Sequence, residues 1–203
     1  MPAGGLPGAG RRSKLPGMAT AAAAVQITAE DYRQMPLGPP YFQLVEGGLY
    51  MSPSPDFFHQ DVTGNLFARL REHVERAGAG VVQIAPSDVE LDAVNVVQPD
   101  VYFVSRARRR IITRQGVRGA PDLVVEVLSP RTAALDLGAK LKAYARAGVA
   151  EGWFVDRSKR RVLVYRFAAE ATRPAAELRA KDSLTTPLLP GFALPVRDVF
   201  RRQ

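Results

Sequence analysis

Cysteine is absent from the 203 residues. That excludes a disulfide framework and any thiolate metal centre, and it accords with a reducing compartment, the cytoplasm. No apolar run approaches the ~20 residues that a membrane span needs. No internal repeat is visible. Acidic residues are missing from residues 105–119, SRARRRIITRQGVRG, which leaves that stretch uniformly basic. What is present is globular: hydrophobic residues make up 46% and charged residues 24%, the balance of a soluble domain. The formal net charge is +8 and the pI about 10.2. Such a balance favours polyanionic partners and says nothing of the fold. Only Arg11, Arg12 and Lys14 of the 28 basic residues lie in the first 24 positions, so the globular part is basic in its own right.

Residues 1–25 are rich in Gly, Ala and Pro. RRSK before an alanine run has the outline of a signal peptide. The run is too weakly hydrophobic and too interrupted for one, and a flexible low-complexity tail is expected. Met18 is a second candidate start. Residues 26–203 read as one domain. TAEDYRQMP is a short helix capped by Thr28, with Asp31 in a capping-box position. Residues 41–52 form a hairpin around Gly47 and Gly48. Val62, Leu66, Leu70 and Val74 make a helical stripe in residues 56–77, ended by Gly78. VVQIAP, DVELDA and VVQPDVYFV read as strands, the last containing Pro99. A buried strand covers PDLVVEVLSP, a helix spans about 131–147 and stops at Gly148, and EGWFVD and RRVLVYRF pair around Arg157, Ser158 and Lys159. Strands and helices in this order predict an α/β sandwich around a mixed sheet.

Glu126 is the anomaly. It stands among Val124, Val125, Val127 and Leu128, in a strand that reads as buried on both faces. A carboxylate is costly to desolvate, so it needs a cation. Asp100, opening the next apolar strand, could share a hard cation such as magnesium with it, or could simply cap a turn. At ~100° per residue, Lys140 falls on the same helical arc as Leu137, Leu141 and Tyr144, facing the sheet, while Lys142 points away. Lys140 could equally lie along apolar surface with its ammonium in water. Arg106, Arg108, Arg109, Arg110, Arg114 and Arg118 suit phosphate oxygens, or form a solvated loop. Glu126 itself could be one half of a buried salt bridge with Lys140 or an arginine. Asp122 shares the strand face of Glu126 and rivals Asp100, although Pro121 before it also reads as a strand-entry turn. His59 lies on the helical face of Val62 and Leu66, where a packed histidine is the ordinary occupant.

YFQLVEGGLYMSPSP, His59, QPDVYFV, APDLVVEVLSP, the D-x-x-x-K-x-x-x-Y spacing of Asp136, Lys140 and Tyr144, and AGVAEGWFVD together resemble the Uma-two family, a branch of the PD-(D/E)XK nuclease superfamily. The likeness covers roughly residues 28–200. It implies a restriction-endonuclease-like α/β core, a central mixed sheet flanked by helices with hairpin additions, and a divalent metal, magnesium or manganese. Carried over, Asp100 is the aspartate of the PD motif, Glu126 the following acid, and Glu46 an additional acid near the metal; the family pattern includes His59. The chain departs from the superfamily at Leu128, where the motif lysine normally stands; in this family the lysine is moved to the next helix, at Lys140.

The activity implied is magnesium-dependent hydrolysis of phosphodiester bonds in DNA. Asp100 and Glu126 would hold metal, Lys140 would orient the attacking water or steady charge at phosphorus, and the arginines would grip the backbone. Double-stranded DNA as substrate and a homodimer are the expected partners. A protein that binds nucleic acid on this fold without cutting it, and an interaction module with no nucleic-acid partner, are the competing expectations.

Overall fold

In the computed structural model, residues 26–36, 38–168 and 172–202 are described; the expected tail, residues 1–25, lies outside them. Strands β1 (Phe42–Val45), β2 (Gly48–Met51), β3 (Gly80–Ile84), β4 (Asp88–Asp92), β5 (Asn95–Val97), β6 (Val101–Ser105), β7 (Gly116–Arg118), β8 (Leu123–Leu128), β9 (Glu151–Asp156), β10 (Arg161–Arg166), β11 (Ala176–Leu178), β12 (Ser183–Leu184) and β13 (Leu194–Pro195) alternate with helices α1 (Ala29–Arg33), α2 (Phe57–Ala77), α3 (Ala133–Leu135), α4 (Leu141–Ala147) and α5 (Val196–Val199). The central sheet has the order β11-β10-β9-β8-β6-β3. It is mixed: β8 and β9 run parallel, joined by the crossover through α3 and α4, and the other pairs are antiparallel. A second sheet, β2-β1-β5-β4-β7, and the small pair β12-β13 complete the architecture. Among the described residues no helix is long and apolar enough to cross a membrane.

The two faces of the central sheet each carry a core, which explains the unbroken apolar run of β8. Leu123, Val125 and Val127 face α2, against Val62, Leu66, Leu70 and Val74. Val124 and Leu128 face the other way, against Leu141, Ala143 and Tyr144 of α4 and against Val89, Val97 and Val117 of the second sheet. Successive strand residues point to opposite faces, so Glu126 belongs to the α4 side.

Three local features differ from the sequence reading. The run 96–104 is not one strand: β5 belongs to the second sheet and β6 to the central one. Pro99, which has no N–H to give a ladder, stands at the crossing, and Asp100 therefore sits at the mouth of β6. The hairpin turn is formed by Glu46 and Gly47, not Gly47 and Gly48, because Val45 already pairs with Gly48. Both turn residues have positive φ, 51° and 77°, as a type I′ turn requires. The helix expected over 131–147 is broken by a π turn, Asp136–Lys140.

Candidate active site

Glu126 is only 3% exposed. Its Oε1 lies 2.6 Å from the Lys140 ammonium and accepts the Tyr144 hydroxyl at 2.5 Å. Lys140 also meets Asp136 Oδ1 at 3.2 Å. The helix delivers these three side chains together because of the π turn. In a plain α-helix, four residues overshoot a full turn by about 40°, so Asp136, Lys140 and Tyr144 would drift around the surface. The wider π turn, in which the Leu141 N–H reaches back to the Asp136 carbonyl, opposes that drift.

Asp100 completes the cluster from the next strand. β6 and β8 pair Val101 with Val125; one step further brings Asp100 opposite Glu126. Asp100 Oδ2 accepts the Val127 N–H at 2.7 Å and lies 3.3 Å from His59 Nε2. His59 is held in the first turn of α2, whose N-cap Asp56 takes two bonds of 2.7 Å from Arg157.

Burial pushes the Glu126 carboxyl up to about 8; the Lys140 charge opposes this, and the Asp136 and Asp100 charges reinforce it. Burial also works against the Lys140 ammonium, but Glu126 and Asp136 outweigh it and hold the lysine protonated. Tyr144 is raised by burial and by the Glu126 charge, so its hydroxyl stays a donor. Burial lowers His59, yet its hydrogen bond to Asp100 and that carboxylate's charge carry it above its ordinary value. The cluster thus holds three carboxylates against one ammonium, and the surplus negative charge is met by retaining a proton.

The other sequence candidates lie elsewhere. Glu46 sits on the hairpin turn and pairs with Arg146 near the end of α4, at 3.1 Å; the structure does not bring it to the cluster. Asp122 is on the expected face of β8 but at its opposite end, where Oδ2 accepts the Ser105 N–H at 2.7 Å and Oδ1 meets Arg108 at 3.2 Å. Arg106, Arg108, Arg109 and Arg110 lie in a 3-10 helix, Arg106–Ile111, that follows β6, whereas Asp100 precedes it. Five strand residues, roughly 17 Å, separate them. Being between two acids in sequence does not place the segment between them in space, since an antiparallel strand carries the chain away from the site. Arg114 lies beyond that helix, and Arg118 is near Glu90 on the second sheet at 3.7 Å.

The β9–β10 turn brings other cations to the same end of the sheet. A cavity of about 650 Å³ is lined by Phe58, Leu128, Leu137, Arg157, Lys159 and Arg161, among others. Phe58 precedes His59, Leu137 follows Asp136, and Leu128 continues the Glu126 face of β8. The signal for this basic rim was available: a strand–helix–strand crossover makes β9 parallel to β8, so the turn after Asp156 must emerge beside Leu128. A separate cavity of about 340 Å³ lies between α1, β4 and β7; no residue of the cluster lines either cavity.

A mixed sheet with facing carboxylates at one end, and a lysine supplied by the covering helix, puts the chain among α/β proteins of nuclease fold. The same fold is seen in a protein from Anabaena variabilis ATCC 29413 described as "a putative nuclease belonging to DUF820": TM-score 0.71, 18% identity, covering 86% of this chain and 98% of that one. A family model described as "Putative restriction endonuclease" matches residues 29–197, and the chain belongs to that family, Uma2. No curated protein matches the chain.

Proposed function

We propose that the protein is a metal-dependent endonuclease hydrolysing phosphodiester bonds in DNA. The family supports a nuclease. The observation that carries the rest is the buried Glu126, bound by Lys140 and placed opposite Asp100. Among the described residues no group of three or more His, Asp or Glu side chains is arranged to hold a metal. Magnesium does not need one, because it is commonly held by one or two carboxylates, with water and substrate oxygens filling its shell. The donor set fits once Glu126 gives up the proton it retains: the contacts above engage Oδ2 of Asp100 and Oε1 of Glu126, and the second oxygen of each carboxylate takes no part in them. Asp100 and Glu126 would hold the ion, which would supply Lewis acidity toward the phosphoryl group and toward the attacking water. Lys140 places positive charge beside Glu126, where negative charge grows at phosphorus. Tyr144 fixes the Glu126 rotamer, and His59 orients Asp100.

The test is plasmid cleavage with magnesium or manganese. The wild type should nick or linearise the plasmid, and Asp100→Asn and Glu126→Gln should each abolish cutting while leaving the fold intact by circular dichroism. A competing reading, a nucleic-acid-binding protein that does not cut, is favoured by Leu128 at the motif-lysine position and by the double occupation of Glu126 Oε1. Binding to DNA without cleavage in either metal selects it.

A further inference from the structure

The rim of the cluster carries a feature the proposed chemistry does not use. Phe57 and Phe58 open α2 and are 71% and 48% exposed. The two rings are adjacent, and a contiguous exposed apolar patch marks an interaction surface. Their centroids are 5.5 Å apart with the rings nearly perpendicular, so they present two differently oriented faces. Phe58 lines the same cavity as Arg157, Lys159 and Arg161. Arg157 gives both terminal nitrogens to Asp56, and its Nε is buried. Arg161 is engaged by Asp156 and Glu177, whereas Lys159 is exposed.

We infer that the strand entering this site is unpaired: a single-stranded or splayed stretch of nucleic acid, its bases stacking on Phe57 and Phe58 and its phosphates meeting Lys159 at the cavity rim. The inference rests on the nuclease reading and departs from the expectation of intact duplex. Aromatic platforms beside a cationic track are how unpaired strands are held, since every base offers a π-face once it leaves the double helix. Lys159 offers the phosphates a cation, and His59, the residue after Phe58, contacts Asp100.

The experiment is fluorescence anisotropy in EDTA, where no cleavage occurs, with a labelled single strand of about twelve nucleotides, the blunt duplex of the same sequence, and a forked duplex. The full chain should bind the single strand and the fork at least tenfold more tightly than the blunt duplex. Phe57→Ala/Phe58→Ala, which alters only exposed side chains, should weaken single-strand binding roughly tenfold or more and leave duplex binding unchanged. Equal or tighter binding of the blunt duplex overturns the inference. So does a double variant that binds all three probes like the wild type, including one that instead loses self-association in sedimentation, which would mark the rings as an interface between copies. Cleavage is scored separately with magnesium: a strand preference without any cutting sinks the nuclease reading and leaves this one standing.

Discussion

Glu126 behaves as a buried acid with a surplus of like charge around it, and that has a consequence in pH. Its carboxyl is raised from 4.5 to about 8 in the folded protein, chiefly by burial. The folded state therefore keeps a proton that the unfolded chain has already released. The stability this contributes is complete below about 4.5 and is lost as the pH rises through about 8. Thermal unfolding should show Tm falling from pH 5 to pH 9, and Glu126→Gln should remove most of that slope. His59, also raised, leaves a residual slope of the same sign. An unchanged slope in the variant would contradict the assignment. Lys140 makes the complementary case. Lys140→Met leaves Glu126 and Asp136 without their ammonium and should cost about 3–5 kcal/mol in denaturant titrations. Pairing it with Glu126→Gln should recover part of that loss, because the uncompensated charge is gone. These residues were legible in the sequence because the cue is local: one charge inside an apolar run, and one lysine on the buried arc of the next helix.

Elements were less legible than residues wherever two local solutions satisfy the same rule. Glu46-Gly47 and Gly47-Gly48 both place glycine where φ is positive; the pairing of Val45 with Gly48 decides between them, and pairing is not a local property. The π turn is hidden for the same reason. The spacing of Asp136, Lys140 and Tyr144 suits an ordinary helix until the sheet requires all three on one line. The hairpin also separates structure from chemistry. Glu46 has φ of 51°, a region that asparagine tolerates far better than glutamate, and Asn-Gly is the preferred pair for this turn. Its ion pair with Arg146 is half-exposed and worth at most about 1 kcal/mol. Glu46→Asn should therefore leave Tm equal or higher and behave as the wild type does in the plasmid assay with magnesium. A loss of activity at wild-type stability would restore Glu46 to the site.

Across the whole molecule, charge is distributed in two places that the sequence alone presents as one. Arg106, Arg109 and Arg110 are exposed at the far end of β6, while Lys159 stands at the mouth of the cavity. Net charge foretells an affinity for polyanions but not where they bind, since that depends on strand direction: β6 carries the arginines away from Asp100, and the parallel run of β9 brings Lys159 up beside Leu128. Counterion release separates the two locations. Each phosphate contact adds about 0.7 to the slope of log affinity against log salt for a single strand. With a short single strand of about four nucleotides, Lys159→Ala should reduce the slope by about that amount between roughly 50 and 200 mM salt. Arg109→Ala/Arg110→Ala should leave the slope unchanged with this probe. If the arginine variant flattens it and the lysine variant does not, the nucleic acid lies at the other end of the sheet, and the cluster around Glu126 is a buried polar network remote from the bound strand.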